Sequence, residues 1–196
     1  MSHELINLAP GHVGAVVTFL EMTAPPAPAP APPSTLALEH WDAVDPERYR
    51  ALFRRVGSRW LWFSRLAMAD AELLAKLGEV HAVRDETGAD AGLVELDFRA
   101  PGLCQIRFLG LVPELAGRGH GRWLFARTLA LAWAPRIKRV QVHTCSLDHP
   151  AALPAYLRAG FTVYARAFES FPDPRLAGLL PRDAAPQIPL FEGRGG

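Results

Sequence analysis

The chain has 196 residues, 49% hydrophobic and 21% charged, with a formal net charge of +1. That length suits one domain, or one domain with a tail, and is enough to bury a real core. The near-neutral balance excludes a global basic field for nucleic acid, so any anion site must be local.

The opening stretch MSHELINLAPGHVGAVVTFLEM carries an early acidic residue and a short, interrupted apolar run, unlike a secretory signal. No segment reaches membrane-span length. Within it, His12 to Glu21 is rich in Val, Thr and Phe and reads as a first strand. An Ala/Pro segment at 24–37 follows and favours extended polyproline conformation, a stiff loop or spacer and formally also a ligand for a proline-binding domain. Asp45 and Pro46 then supply a cap and a first-turn proline, and Tyr49, Leu52, Phe53 and Val56 recur at helical spacing before Gly57. Ser58 to Met68 carries Trp60 and Trp62, which suit either core packing or the wall of an acceptor pocket. Asp70 to Leu77 reads as a shorter helix ended by Gly78.

Strands are expected at Glu79 to Arg84, Gly92 to Arg99 and Leu103 to Val112, the last two joined by a tight Ala-Pro-Gly turn as a hairpin. A glycine-rich turn and an unbroken apolar helix follow, then a strand at Arg139 to Cys145, a short helix from Pro150 to Gly160 and a final strand at Phe161 to Arg166. The proline-rich tail from Phe171 shows no periodicity. The order is that of a mixed α/β fold around one sheet. The two cysteines, Cys104 and Cys145, lack metal-ligand spacing and read as reduced thiols in strands, so no metal is expected.

The glycine turn carries the chemistry. A strand running through Gly117, Gly119 and Gly121 into a helix presents backbone N–H groups at the positive end of the helix dipole, a ready phosphate site. Arg122 and Trp123 follow the last glycine where a P-loop needs Lys then Ser or Thr, and no acidic residue about 20 positions on completes a dinucleotide fingerprint. LGLVPELAGRGHGRWL instead resembles the acyl-CoA-binding motif of the GCN5-related N-acetyltransferase (GNAT) superfamily: Gln or Arg, two variable residues, Gly, one variable residue, then Gly or Ala. Ala116, Gly117, Arg118, Gly119, His120 and Gly121 occupy it, with Ala116 in place of the usual polar residue. LDHPAALPAYLRAGF resembles the later segment of that family through His149, Ala152, Tyr156, Gly160 and Phe161, with histidine where asparagine is usual.

The resemblance implies a GNAT fold: a single mixed, mostly antiparallel sheet, helices on both faces, and a splay between the fourth and fifth strands of the chain. It places the acetyltransferase domain at 1–170 and a tail at 171–196. It implies acetyl-CoA as co-substrate, its diphosphate on the main chain from Ala116 to Arg122 near His149. The pantetheine arm is then expected along Leu109, Gly110 and Leu111, where Gly110 suggests a bulge. The partners are acetyl-CoA and a primary amine, of a small molecule or alternatively of a protein lysine or N-terminus. A non-catalytic acyl-CoA module is a further alternative. The expected setting is the cytoplasm, without nucleic acid or membrane as partner, as monomer or homodimer.

By the same resemblance Tyr156 is the general acid at the sulfur. Gln105 stands where the histone-modifying branch has glutamate, and glutamine takes no proton, so the base must lie elsewhere. A three-residue hairpin turn would place Asp97 opposite Gln105 and Glu95 opposite Arg107 on one face, making Asp97 the better base candidate and Glu95 either a second base or an ion-pair partner. His143 is a third candidate. Trp60, Trp62, Gln105 and His143 are the candidate acceptor contacts.

Overall fold

The computed structural model describes residues 5–192; the first and last four residues of the expected domain and tail lie outside it. Seven strands, β1 (His12–Met22), β2 (Ala37–His40), β3 (Glu79–Arg84), β4 (Asp90–Asp97), β5 (Leu103–Leu111), β6 (Arg139–Cys145) and β7 (Thr162–Pro172), form one sheet in the order β2-β3-β4-β5-β6-β1-β7. All pairings are antiparallel except β5 with β6. Four helices complete the fold, α1 (Pro46–Gly57), α2 (Asp70–Lys76), α3 (His120–Ala132) and α4 (Ala152–Arg158).

Helix α1 starts where Asp45 accepts the Arg48 N–H at 2.7 Å, with Pro46 in its first turn. Its apolar stripe, Tyr49, Leu52, Phe53 and Val56, packs with Leu73 of α2 on Val80, Ala82 and Leu93. On the opposite face Leu124, Leu129 and Ala132 of α3 and Tyr156 of α4 pack on Val83, Val94, Leu96, Ile106 and Val140. Adjacent residues such as Leu93 and Val94 thus feed different cores, as strand alternation requires. Strand β4 lies between both helix layers, and every residue from Ala91 to Asp97 is buried.

Strand β1 lies between β6 and β7, a placement set by long-range pairing. Two elements differ from expectation. Strand β2 is a four-residue edge strand directly after the proline-rich stretch, too short to leave a periodic signal. Strand β7 runs on to Pro172 because β1 offers it eleven residues of edge. Beyond it, the buried Asp173 and Arg175 pair at 2.7 Å, Arg175 also donates to the carbonyls of Ala184 and Ile188, and Leu180 and Ala185 enter the α1-side core. The chain from Thr23 to Leu36 crosses from the end of β1 to the far edge of the sheet, with Ser34 Oγ 2.8 Å from His120 Nδ1 at the start of α3.

Candidate active site

Strands β5 and β6 pair only from Leu103 to Ile106 against Arg139 to Val142. Beyond that the ladder stops, and the expected splay is present. Its cause lies on the other edge of β5. Pairing with β4 slips between Glu95 and Leu96, so Ile106 faces Leu96, Phe108 faces Glu95 and Arg107 is the extra residue. A bulge bends its strand and increases the local twist, which turns Phe108–Leu111 away from β6. The bulge expected at Gly110 is therefore at Arg107, and Gly110 pairs regularly with Leu93. Gly110 is needed for another reason: a β-carbon there would lie 2.6 Å from Val56 Cγ1 and 3.4 Å from the Trp62 ring, so glycine lets both close over the strand.

After β5, Pro113–Leu115 forms a 3₁₀ turn and the chain passes through Gly117 at φ +75° and Gly119 at φ +83° into α3. Both angles lie in the left-handed region open to glycine. The Ala116 N–H is spent on the Pro113 carbonyl (3.0 Å) and that of Arg122 on the Gly119 carbonyl (3.2 Å). The free set is narrower than expected: among the described residues, the N–H groups of Gly117, Arg118, Gly119, His120 and Gly121 have no backbone or side-chain acceptor. A β-carbon on Gly117, Gly119 or Gly121 would meet nothing within 4 Å. Arg118 and Arg122 are exposed nearby. This arrangement can hold a diphosphate.

On the α1 face, the paired part of the split floors a cavity of about 190 Å³ lined by Phe19, Gln105, Arg107, Gln141, His143 and Tyr164. Arg107 donates to the Gln105 carboxamide oxygen at 3.0 Å. His143 lies beside Phe19, ring centroids 6.0 Å apart. His143 is exposed on its strand; lost hydration, then the Arg107 guanidinium, lower its pKa from the usual imidazole value, with Asp148 opposing, which favours the neutral ring.

Trp62 spans the parted strands. Its ring packs on Phe108 of β5, centroids 5.1 Å apart, and its Nε1–H donates to Asp148 Oδ1 beyond β6 at 3.1 Å. The other Asp148 oxygen accepts from the Thr144 hydroxyl (2.8 Å) and the Cys145 N–H (2.9 Å). Trp60 sits edge-on to His149, centroids 5.2 Å apart, and His149 Nδ1 accepts the Ala151 N–H at 3.0 Å. Tyr156 is buried against Phe125 and Phe161 at 5.5 and 5.9 Å, and its hydroxyl bonds to no described residue. Burial, then Asp148, raise its pKa far above the ordinary phenol value.

The carboxylates predicted as bases are both engaged. Glu95 is fully buried and does not meet Arg107, because the bulge shifts the register. It accepts from Tyr49 Oη (2.7 Å) and from Arg65 at 2.5 and 3.3 Å, so a buried charge is neutralised by a buried partner. Asp97 does face Gln105, but it accepts the Arg99 N–H and guanidinium at 3.0, 2.9 and 2.5 Å. Arg99 holds it at about 2, burial opposing, which makes it a poor base. Phe19, Arg107, Gln141 and Asp148 are site residues that sequence reasoning missed. Only Asp148, inside the recognised later segment, had a local signal.

No protein-family profile matches the sequence, and no curated protein matches it. Solved structures do match, and they are predominantly GNAT-family proteins. A GCN5-related N-acetyltransferase from Sphaerobacter thermophilus superposes with a TM-score of 0.58 at 18% identity, over 83% of this chain and 52% of that one. A tandem GNAT protein from the clavulanic acid biosynthesis pathway gives 0.55 at 17%, over 80% and 53%. A GCN5-related N-acetyltransferase from Kribbella flavida gives 0.51 at 16%, over 86% and 63%. The chain spans about half the length of the first two. What is shared at these identities is the fold, and this chain has the GNAT fold.

Proposed function

We propose that the chain is an acetyl-CoA-dependent N-acetyltransferase acting on the primary amine of a small molecule. The observation that carries this reading is the row of unpaired N–H groups from Gly117 to Gly121 beside the unpaired edge of β5. The coenzyme diphosphate takes those N–H groups with Arg118 and Arg122, and the pantetheine arm runs along Phe108–Leu111, whose backbone lacks a partner toward β6. An N–H of that edge polarises the thioester carbonyl and stabilises the oxyanion that forms on attack. The small volume of the cavity, about 190 Å³, favours a small acceptor.

His143 takes a proton from the acceptor ammonium, directly or through a water. The free amine attacks the thioester carbon, the C–N bond forms, and collapse of the tetrahedral adduct breaks the C–S bond. Tyr156, protonated throughout the working pH range, donates a hydrogen bond to the departing thiolate. The second amine proton, lost from the adduct, protonates the thiolate to the free thiol of coenzyme A.

Locking of both Glu95 and Asp97 favours one other reading, a module that binds acyl-CoA without catalysis. Release of free coenzyme from acetyl-CoA across a panel of amines and peptides separates them. Turnover with small amines above peptides is expected. Coenzyme binding without turnover on any acceptor would establish the module instead.

A further inference from the structure

At the outer edge of the sheet, on the α3 side, His40 of β2 stands directly across from His81 of β3, their rings 4.9 Å apart. Glu79, two residues before His81 and so on the same face, places a carboxylate oxygen 3.9 Å from His81 Nε2, too far for a hydrogen bond. One donor atom from each of the three lies within 4.8 Å of the other two.

His81 is only 6% exposed, yet its Nε2 has no hydrogen-bond partner. A buried polar atom left unsatisfied destabilises the fold unless a ligand takes it up. That nitrogen faces a second imidazole and a carboxylate, two electron-pair donors, and neither fills its need. His40 Nδ1 lies 2.9 Å from Asp42 Oδ1. A carboxylate that holds the proton on one ring nitrogen leaves the other as a ligand, the usual outer support of a metal-bound histidine.

We propose that His40, His81 and Glu79 bind a divalent transition cation, zinc by the match of two imidazoles and one carboxylate, with water as fourth ligand. Ligand atoms of a tetrahedral zinc site lie roughly 3.3 Å apart. The three donors therefore close onto the ion with small side-chain rotations, which the exposed His40 and Glu79 are free to make. The ion clips the four-residue edge strand β2 to β3 and so fixes the end of the proline-rich crossing that reaches α3 through Ser34 and His120. This site is independent of the acyl-transfer reading.

The test is titration of the chelator-treated full chain with zinc chloride by calorimetry, alongside thermal unfolding. One equivalent binds and raises Tm. His40→Ala and Glu79→Gln, both exposed and expected to fold, weaken binding at least about tenfold, and His81→Phe abolishes it. Cobalt in place of zinc shows the visible absorption of a four-coordinate site. No binding at 100 micromolar zinc (about −5.5 kcal/mol or weaker), or wild-type binding in His40→Ala, overturns the proposal.

Discussion

At Gln105 and Ile106, β5 is paired on both edges, to β4 and to β6, whereas from Phe108 to Leu111 it keeps only β4. The change comes at one inserted residue. At the paired end the charged Asp97 is matched locally by Arg99. At the parted end the strand edge and the following turn keep donors without acceptors, and His143 and Tyr156 bring groups that can move or hold protons. One strand thus serves as scaffold over half its length and as binding surface over the other half. Substitutions at the parted end should change rate and affinity, and those at the paired end stability.

The sharpest break is expected at the proposed base. His143→Gln should lower kcat by roughly 10²-fold or more with Tm unchanged. In the wild type, kcat/KM should rise with pH through a limb below pH 6.5, because the imidazole pKa is lowered in the fold, and the variant should lose that limb. An intact limb in the variant would assign the base to water. Tyr156→Phe removes one hydrogen bond to a developing anion and should cost kcat about tenfold or somewhat more, leaving affinity for coenzyme A intact. Trp62→Phe deletes the donor to Asp148 and should raise the acceptor KM a few-fold, the worth of one hydrogen bond, at unchanged coenzyme affinity.

Asp97→Asn should leave the rate alone. Its effect falls on acid stability. A carboxylate pKa depressed to about 2 in the fold contributes stability above its ordinary value near 3.9 that is lost as pH falls through 2. Denaturant unfolding should show that loss between about pH 4 and 2 in the wild type and not in the variant. A drop in kcat for Asp97→Asn, with stability unaffected, would reverse the roles of the two ends.

Much of this architecture was legible because it rests on local signals. Strands β3 and β6 have their expected bounds, and the Asp45 cap, Pro46 and apolar stripe of α1 lie where their spacing puts them. The glycine turn was legible for the same reason, since left-handed backbone angles leave a glycine signature. Pairing over distance was not. The Arg107 bulge has no glycine to announce it, and it moved Glu95 away from Arg107. Arg65, which neutralises Glu95, lies 30 residues earlier. The His40, Glu79 and His81 cluster spans two strands separated by α1 and α2, so no ligand spacing marks it.

The open turn at the head of α3 is held to bind a coenzyme diphosphate, and calorimetric titration of coenzyme A into the wild type and Gly121→Asp tests this most directly. A β-carbon at this position faces open space, and a carboxylate in the first turn of a helix is favourable to its dipole, so the variant should be no less stable. One-to-one binding is expected in the wild type, weakened at least about tenfold in the variant because the carboxylate repels the diphosphate (about 1.4 kcal/mol). Equal binding by the two proteins, or none by the wild type, would contradict it.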